Sequence, residues 1–252
     1  MNIDLNEEFP LLSRPPIVEA VLGVNARAET PWEESPISEK IRETLPEYPI
    51  IQSAQQIQHH IRISTDALVE NPKPVTDWRG LRCESADNRQ IAVFNRDSFS
   101  FSRLKPYQEW KSFYQEGMRL WELYCDLAQP VEAQRIGLRF INKIEFPLEM
   151  VDLDDYLQYS PQTPHGMDIP LEGFFQHNVL TIPGHPYNVN VIQTIEPSPE
   201  LNGWGVIIDI DVFTKEPILN IESIEDHLTK MRWIKNKVFF GSITSKTLEK
   251  IK

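Results

Sequence analysis

The sequence predicts an α+β protein in which an antiparallel sheet carries its helices on one face, and three observations predict it. Residues 135–146, RIGLRFINKIEF, alternate with period 2: Ile136, Leu138, Phe140, Ile144 and Phe146 fall on one side, Arg135, Arg139, Lys143 and Glu145 on the other. Residues 107–128 repeat instead with a helical period, aligning Trp110, Phe113, Gly117, Leu120, Trp121, Tyr124 and Leu127 in one stripe. The two halves of the chain also run in one order: strand, short helix, three or four strands, long helix.

Taken in order, residues 1–13 form an acidic arm, and residues 14–252 form one α+β domain with pseudo-repeats 14–130 and 131–252. IVEAVLGVNAR (17–27) is a β-branched strand launched by Pro15-Pro16. Ser38 caps a short helix, EKIRETL, which Pro46 and Pro49 stop. QIQHHIRIST (56–65), GLRCES, QIAVFN and SFSFSRL read as strands, with hairpin turns at Asp87-Asn88 and Arg96-Asp97 before the long helix. After strand 135–146 come a short acidic helix, DLDDYLQ, and the strands FFQHNVLTI, YNVNVIQTI and WGVIIDIDVF. A closing helix starts at Ser223, where Ser-Ile-Glu-Asp supplies a cap and early negative charge; Ile224, His227, Leu228, Met231 and Ile234 are its apolar stripe.

Doubled in this way, the arrangement resembles the saddle of the TATA-binding-protein type, or two helix-grip units joined through their first strands. A pair of ferredoxin-like units is the competing arrangement and differs in strand order.

Twenty-five Lys+Arg against 37 Asp+Glu leave a net charge of −12, which argues against a protein that coats duplex nucleic acid. Two cysteines, Cys83 and Cys125, supply neither a disulfide framework nor a zinc ligand set. No apolar run has the length of a signal peptide or of a membrane span, so a soluble, cytoplasmic protein is expected. Phosphate loops, GxSxG and HExxH are absent, which weighs against an enzyme and names no cofactor.

One sheet face is then expected to be open and almost entirely polar, with Glu19, Asn25, Ser98, Ser100, Ser102, Arg135, Arg139, Lys143, Asn188, Asn190, Thr194, Asp209 and Asp211 on it. Asp209 and Asp211, at i and i+2 and roughly 7 Å apart along a strand, suit either a divalent cation or an arginine each. If the two first strands meet, Glu19 faces Arg139. Asn142 interrupts the covered face and needs hydrogen-bond partners, expected from a loop or helix end. His59 and His60 point to opposite faces of a strand and cannot share a metal. From His227 onward seven basic residues, among them Lys230, Arg232, Lys235 and Lys237, stand against the single acid Glu249. This segment suits a solvated helix face or a docking surface for an acidic partner or a nucleic-acid backbone, with Trp233 as anchor.

PPIVEAVLGV, RIGLRFINKIEF, DIDVF (209–213) and FFGSIT resemble, in order and spacing, a sporadically distributed prokaryotic family of about this length. The resemblance implies one conserved unit and an association with defence against phage or plasmids, and it brings no catalytic residues. The function expected is therefore non-catalytic binding or assembly, with a protein partner, a second copy of the chain or a small ligand held on the polar face or the basic segment. The alternative is a metal-dependent hydrolase or nuclease using Asp209, Asp211 and Glu19.

Overall fold

The computed structural model describes residues 1–58, 75–146, 152–164, 169, 171–198 and 202–252, and in it the long alternating runs are strands of one antiparallel sheet. The strands are β1 (Ile17–Asn25), β2 (Ile50–Gln58), β3 (Val75–Glu84), β4 (Gln90–Asn95), β5 (Ser98–Leu104), β6 (Arg135–Phe146), β7 (Phe175–Thr181), β8 (Tyr187–Ser198) and β9 (Gly203–Thr214). The helices are α1 (Glu34–Thr44), α2 (Trp110–Ala128), α3 (Ile224–Ser242) and α4 (Ser245–Ile251). The nine strands lie in the order β2-β3-β4-β5-β1-β6-β9-β8-β7. In each half the chain meanders away and returns, so that β5 lies beside β1 and β9 beside β6, while β1 and β6 pair at the centre. The interleaved order of two ferredoxin-like units is absent.

The covered face is built as the alternation requires. Ala20, Leu22 and Val24 of β1, Phe99 and Phe101 of β5, Ile136, Leu138 and Phe140 of β6, and Val206, Ile208, Ile210 and Val212 of β9 are at most 2 % exposed. They form one cluster with Phe113, Leu120, Trp121 and Tyr124 of α2 and Leu228, Met231 and Ile234 of α3. Each such side chain contributes about 1.5–3 kcal/mol. Aromatic contacts tie the halves together: Phe113 of α2 meets Phe101 at 5.4 Å and Phe140 at 5.8 Å. α2 lies close to the sheet because Gly117 has no Cβ; one built there would sit 3.1 Å from Leu22.

Three boundaries and the character of one sheet face differ from expectation. α1 begins at Glu34 with Glu33 as N-cap, and Ser38 is buried within it. Pro36 falls within the first turn of the helix, where a proline is tolerated. DLDDYLQ yields only a three-residue 3₁₀ turn, Leu153–Asp155, in which Asp152 accepts from the Asp154 N–H. β2 starts at Ile50, because IIQSAQQIQ is an edge strand with little alternation to signal it. The rest of the expected strand 56–65, with His59 and His60, lies outside the described residues. Finally, the open face is not almost entirely polar. Val21, Ile141, Ile192, Ile207 and Phe213 stand on it between the charged residues, as the pairings Val21↔Arg139, Ile141↔Asp209 and Ile192↔Asp209 require.

Candidate binding site

On the open face the arginines and aspartates satisfy one another. Arg139 lies opposite Asp211, yet its guanidinium takes the diagonal neighbour Asp209 in a bidentate pair, Nε to Oδ1 at 2.8 Å and Nη2 to Oδ2 at 2.5 Å. Arg135 crosses Gly137 to donate to Asp211 at 2.7 Å, with Phe213 4.6 Å from its guanidinium. Lys143 reaches Glu196 at 2.8 Å. The hydrogen bonds that Arg139 donates to Asp209 hold it above its ordinary range. Of the two roles open to Asp209 and Asp211, the arginine pairs are therefore the ones seen. Among the described residues no three His, Cys, Asp or Glu side chains come close enough to hold a metal ion. Glu19 stands opposite Ile141; Val21 occupies the position facing Arg139 that Glu19 was expected to hold, because the register that runs unbroken from Glu19 to Asn25 sets the strands two residues from the expected pairing.

In the basic C-terminal segment three of the seven cations are likewise held by carboxylates. Lys230 donates to Asp226 at 2.5 Å, Lys237 to Glu7 at 2.5 Å and Lys246 to Asp155 at 2.6 Å. Trp233 is not an exposed anchor: it is 5 % exposed, and its indole N–H donates to Glu7 at 3.0 Å. Arg232 and Lys235 are different. Neither has an ion pair or hydrogen bond to a described residue. The Arg232 guanidinium lies 5.2 Å from the ring centre of Trp110, and the Lys235 ammonium lies 4.1 Å from that of Phe140.

Both line one cleft of about 480 Å³, a volume typical of small-molecule sites. Its walls are the arm at residues 5–12, Pro16 and Ile17 at the start of β1, Asn142 of β6, and α3 between Thr229 and Phe240. The arm is fastened at both ends. Glu7 holds Lys237 and Trp233, Phe9 stacks on Phe240 at 5.6 Å, and the backbone N–H groups of Ser13 and Arg14 donate to the carbonyls of Lys252 and Ile251. Asn142 donates its amide to the carbonyls of Phe140 (3.3 Å) and Ile208 (3.0 Å), so its partners are strands of the sheet rather than a loop or helix end. Its side-chain oxygen accepts from no described residue.

Burial, reinforced by the neighbouring charge of Arg232, pushes the Lys235 ammonium down to about 7. Burial also lowers Arg232. Two carboxylates line the same cleft: Glu7 is spent on Lys237 and Trp233, and Glu8 pairs with no described cation. By contrast, the hollow between Glu47, Gln90, Glu116 and Arg119 carries charges that already satisfy one another, Arg119 bonding both glutamates and Tyr48 donating toward Gln90 and Glu116. The two thiols offer no nucleophile: burial raises both Cys83 and Cys125 to about 12.

Periodicity singles out Arg232 and Lys235 only as members of a basic run, and the arm only as an acidic leader. The signal that joins them is charge complementarity between EEFPLL and α3, which has no sequence spacing to reveal it. Against models of known protein families, and against curated proteins, the chain has no match. Fold and site together define a nine-stranded α+β sheet protein with an aromatic-walled cleft between its own arm and α3, lined by Arg232 and Lys235 and by Glu7 and Glu8. Among the described residues no helix is long and apolar enough to cross a membrane.

Proposed function

We propose that this is a non-catalytic binding protein that takes an acidic group, carried by a small ligand, into the cleft beneath the arm. The observation that carries the reading is the pair of neighbouring cations that line the cleft without a carboxylate partner among the described residues. Lys230, Lys237 and Lys246 each have a carboxylate, while Arg232 and Lys235, the two cations lining the cleft, have none. Holding the partly buried Lys235 ammonium without a partner is costly, and the exposed Arg232 beside it adds a second positive charge, so an anion bound there offsets both.

An acidic, aromatic segment of a protein partner is the second reading. The arm is its precedent, since Glu7 and Phe9 already dock such a sequence on α3. A hydrolase built on Asp209 and Asp211 has less support, because both are committed to arginines. We read the two strand runs as a pseudo-repeat of helix-grip type, 14–130 and 131–252, in agreement with the central β1–β6 pair. A setting in prokaryotic defence rests on the resemblance of the PPIVEAVLGV and RIGLRFINKIEF segments alone.

Thermal unfolding against a panel of small carboxylates and phosphates tests the binding reading. At least one anion is expected to raise Tm with saturation, and Arg232→Gln combined with Lys235→Met is expected to abolish the rise. Absence of a rise in the wild-type chain, or an equal rise in the double variant, would overturn it.

A further inference from the structure

We propose that the ligand of this cleft is a small oxo acid, held by Arg232 at its carboxylate and by Lys235 as an imine at its carbonyl; this rests on the cleft being the binding site. Three geometric facts support it. Lys235 ends against the ring of Phe140, with no described carboxylate or carbonyl accepting from it. Arg232 precedes it by three residues on α3, a spacing that puts two side chains on one helix face about 5–6 Å apart at Cβ. In a 2-oxo acid the carboxylate and the carbonyl are adjacent carbons, so one small molecule spans both groups. Asn142 lines the same cleft with a side-chain oxygen that accepts from no described residue.

The chemistry needs no co-reactant. The free amine of Lys235 attacks the carbonyl carbon, a C–N bond forms, and the carbonyl oxygen takes up two protons and leaves as water, giving the C=N bond; hydrolysis reverses every step. An amine attacks only when unprotonated, and the surroundings favour that form. Arg232 from α3 is the charge that acts on it; Glu7 and Glu8 of the arm line the same cleft, Tyr107 packs edge-on to Phe140, and β6 contributes Phe140 and Asn142, which do not titrate. With burial and Arg232 lowering it, Lys235 presents on the order of a thousandfold more free amine at neutral pH than an ordinary lysine.

The experiment is reductive trapping: the full chain is incubated with glyoxylate and cyanoborohydride at pH 7, and labelled peptides are mapped by mass spectrometry. Label is expected mainly on Lys235, well above exposed lysines such as Lys40 and Lys111, with the Met1 α-amine counted separately. Lys235→Arg is expected to lose that adduct. Label on Lys235 no greater than on Lys40 or Lys111 would overturn the proposal, and that comparison is made within the wild-type chain, so it does not depend on any variant folding. An anion-induced rise in Tm without trapping removes the imine and leaves the binding reading standing; no rise in Tm removes the binding reading itself.

Discussion

Asp209 sits on the open face of the sheet and is nevertheless buried, its side chain 8 % exposed beneath the Arg139 guanidinium. Removing the arginine strands a carboxylate, whereas removing the aspartate leaves an arginine that is 47 % exposed and reaches water. Arg139→Met is therefore expected to destabilise by about 2–4 kcal/mol in urea unfolding, and Asp209→Asn by distinctly less. Gln193 is the opposite case. It is fully buried on the covered face, and neither its amide nitrogen nor its oxygen has a partner among the described residues. Gln193→Leu is expected to stabilise the protein by about 1–3 kcal/mol, read as a rise in urea midpoint. Lys235 adds a pH dependence. Its pKa is about 7 folded against an ordinary 10.5, so between those values the unfolded chain binds more protons and stability rises with pH. Lys235→Met removes a buried charge. The variant is expected to gain on the order of a few kcal/mol below pH 7, a gain that falls as pH rises toward 10.5, measurable as unfolding midpoints across pH.

At the scale of elements, β3 and the arm are the places where one residue governs a whole segment. A Cβ at Gly80 would overlap the carbonyl oxygen of Phe94 on β4, and backbone cannot move aside as a side chain can. Gly80→Ala is expected to disturb the β3–β4 register and lower stability by about 1–3 kcal/mol, with amide exchange accelerated in those strands first. Glu7 is the single acid joining the arm to both Lys237 and Trp233. Glu7→Ala is expected to speed proteolysis within the arm near Leu11, which is already 92 % exposed, while global Tm changes little. The elements themselves were legible in uneven degree. β4, β5 and β6 have the boundaries the sequence predicts, because each buries one face and so must alternate. β2 and the 3₁₀ turn at Leu153–Asp155 did not announce themselves: an edge strand needs no alternation, and three acidic residues with a capping Asp152 satisfy a turn as readily as a helix.

At the scale of the whole molecule, the two halves share one core rather than touching through a boundary. Tyr107 and Phe113 of the first half pack on Phe140 of the second, and Arg232 of the second lies over Trp110 of the first. Fragments 1–130 and 131–252 are accordingly expected to remain unfolded when expressed apart and to recover the native circular dichroism only when combined. The sequence by itself determined the class of the fold, the two faces of the sheet and the helices that cover one of them, because burial imposes period 2 on strands and 3.6 on helices wherever one side meets a core. It also marked Arg135, Arg139, Asp209 and Asp211 as residues of the opposite face. Only the tertiary structure decided that these four pair diagonally, that Trp233 turns inward, and that the arm lines one cleft with Arg232 and Lys235. Those outcomes depend on strand register and on contacts between residues more than two hundred positions apart, and neither leaves a period in the chain.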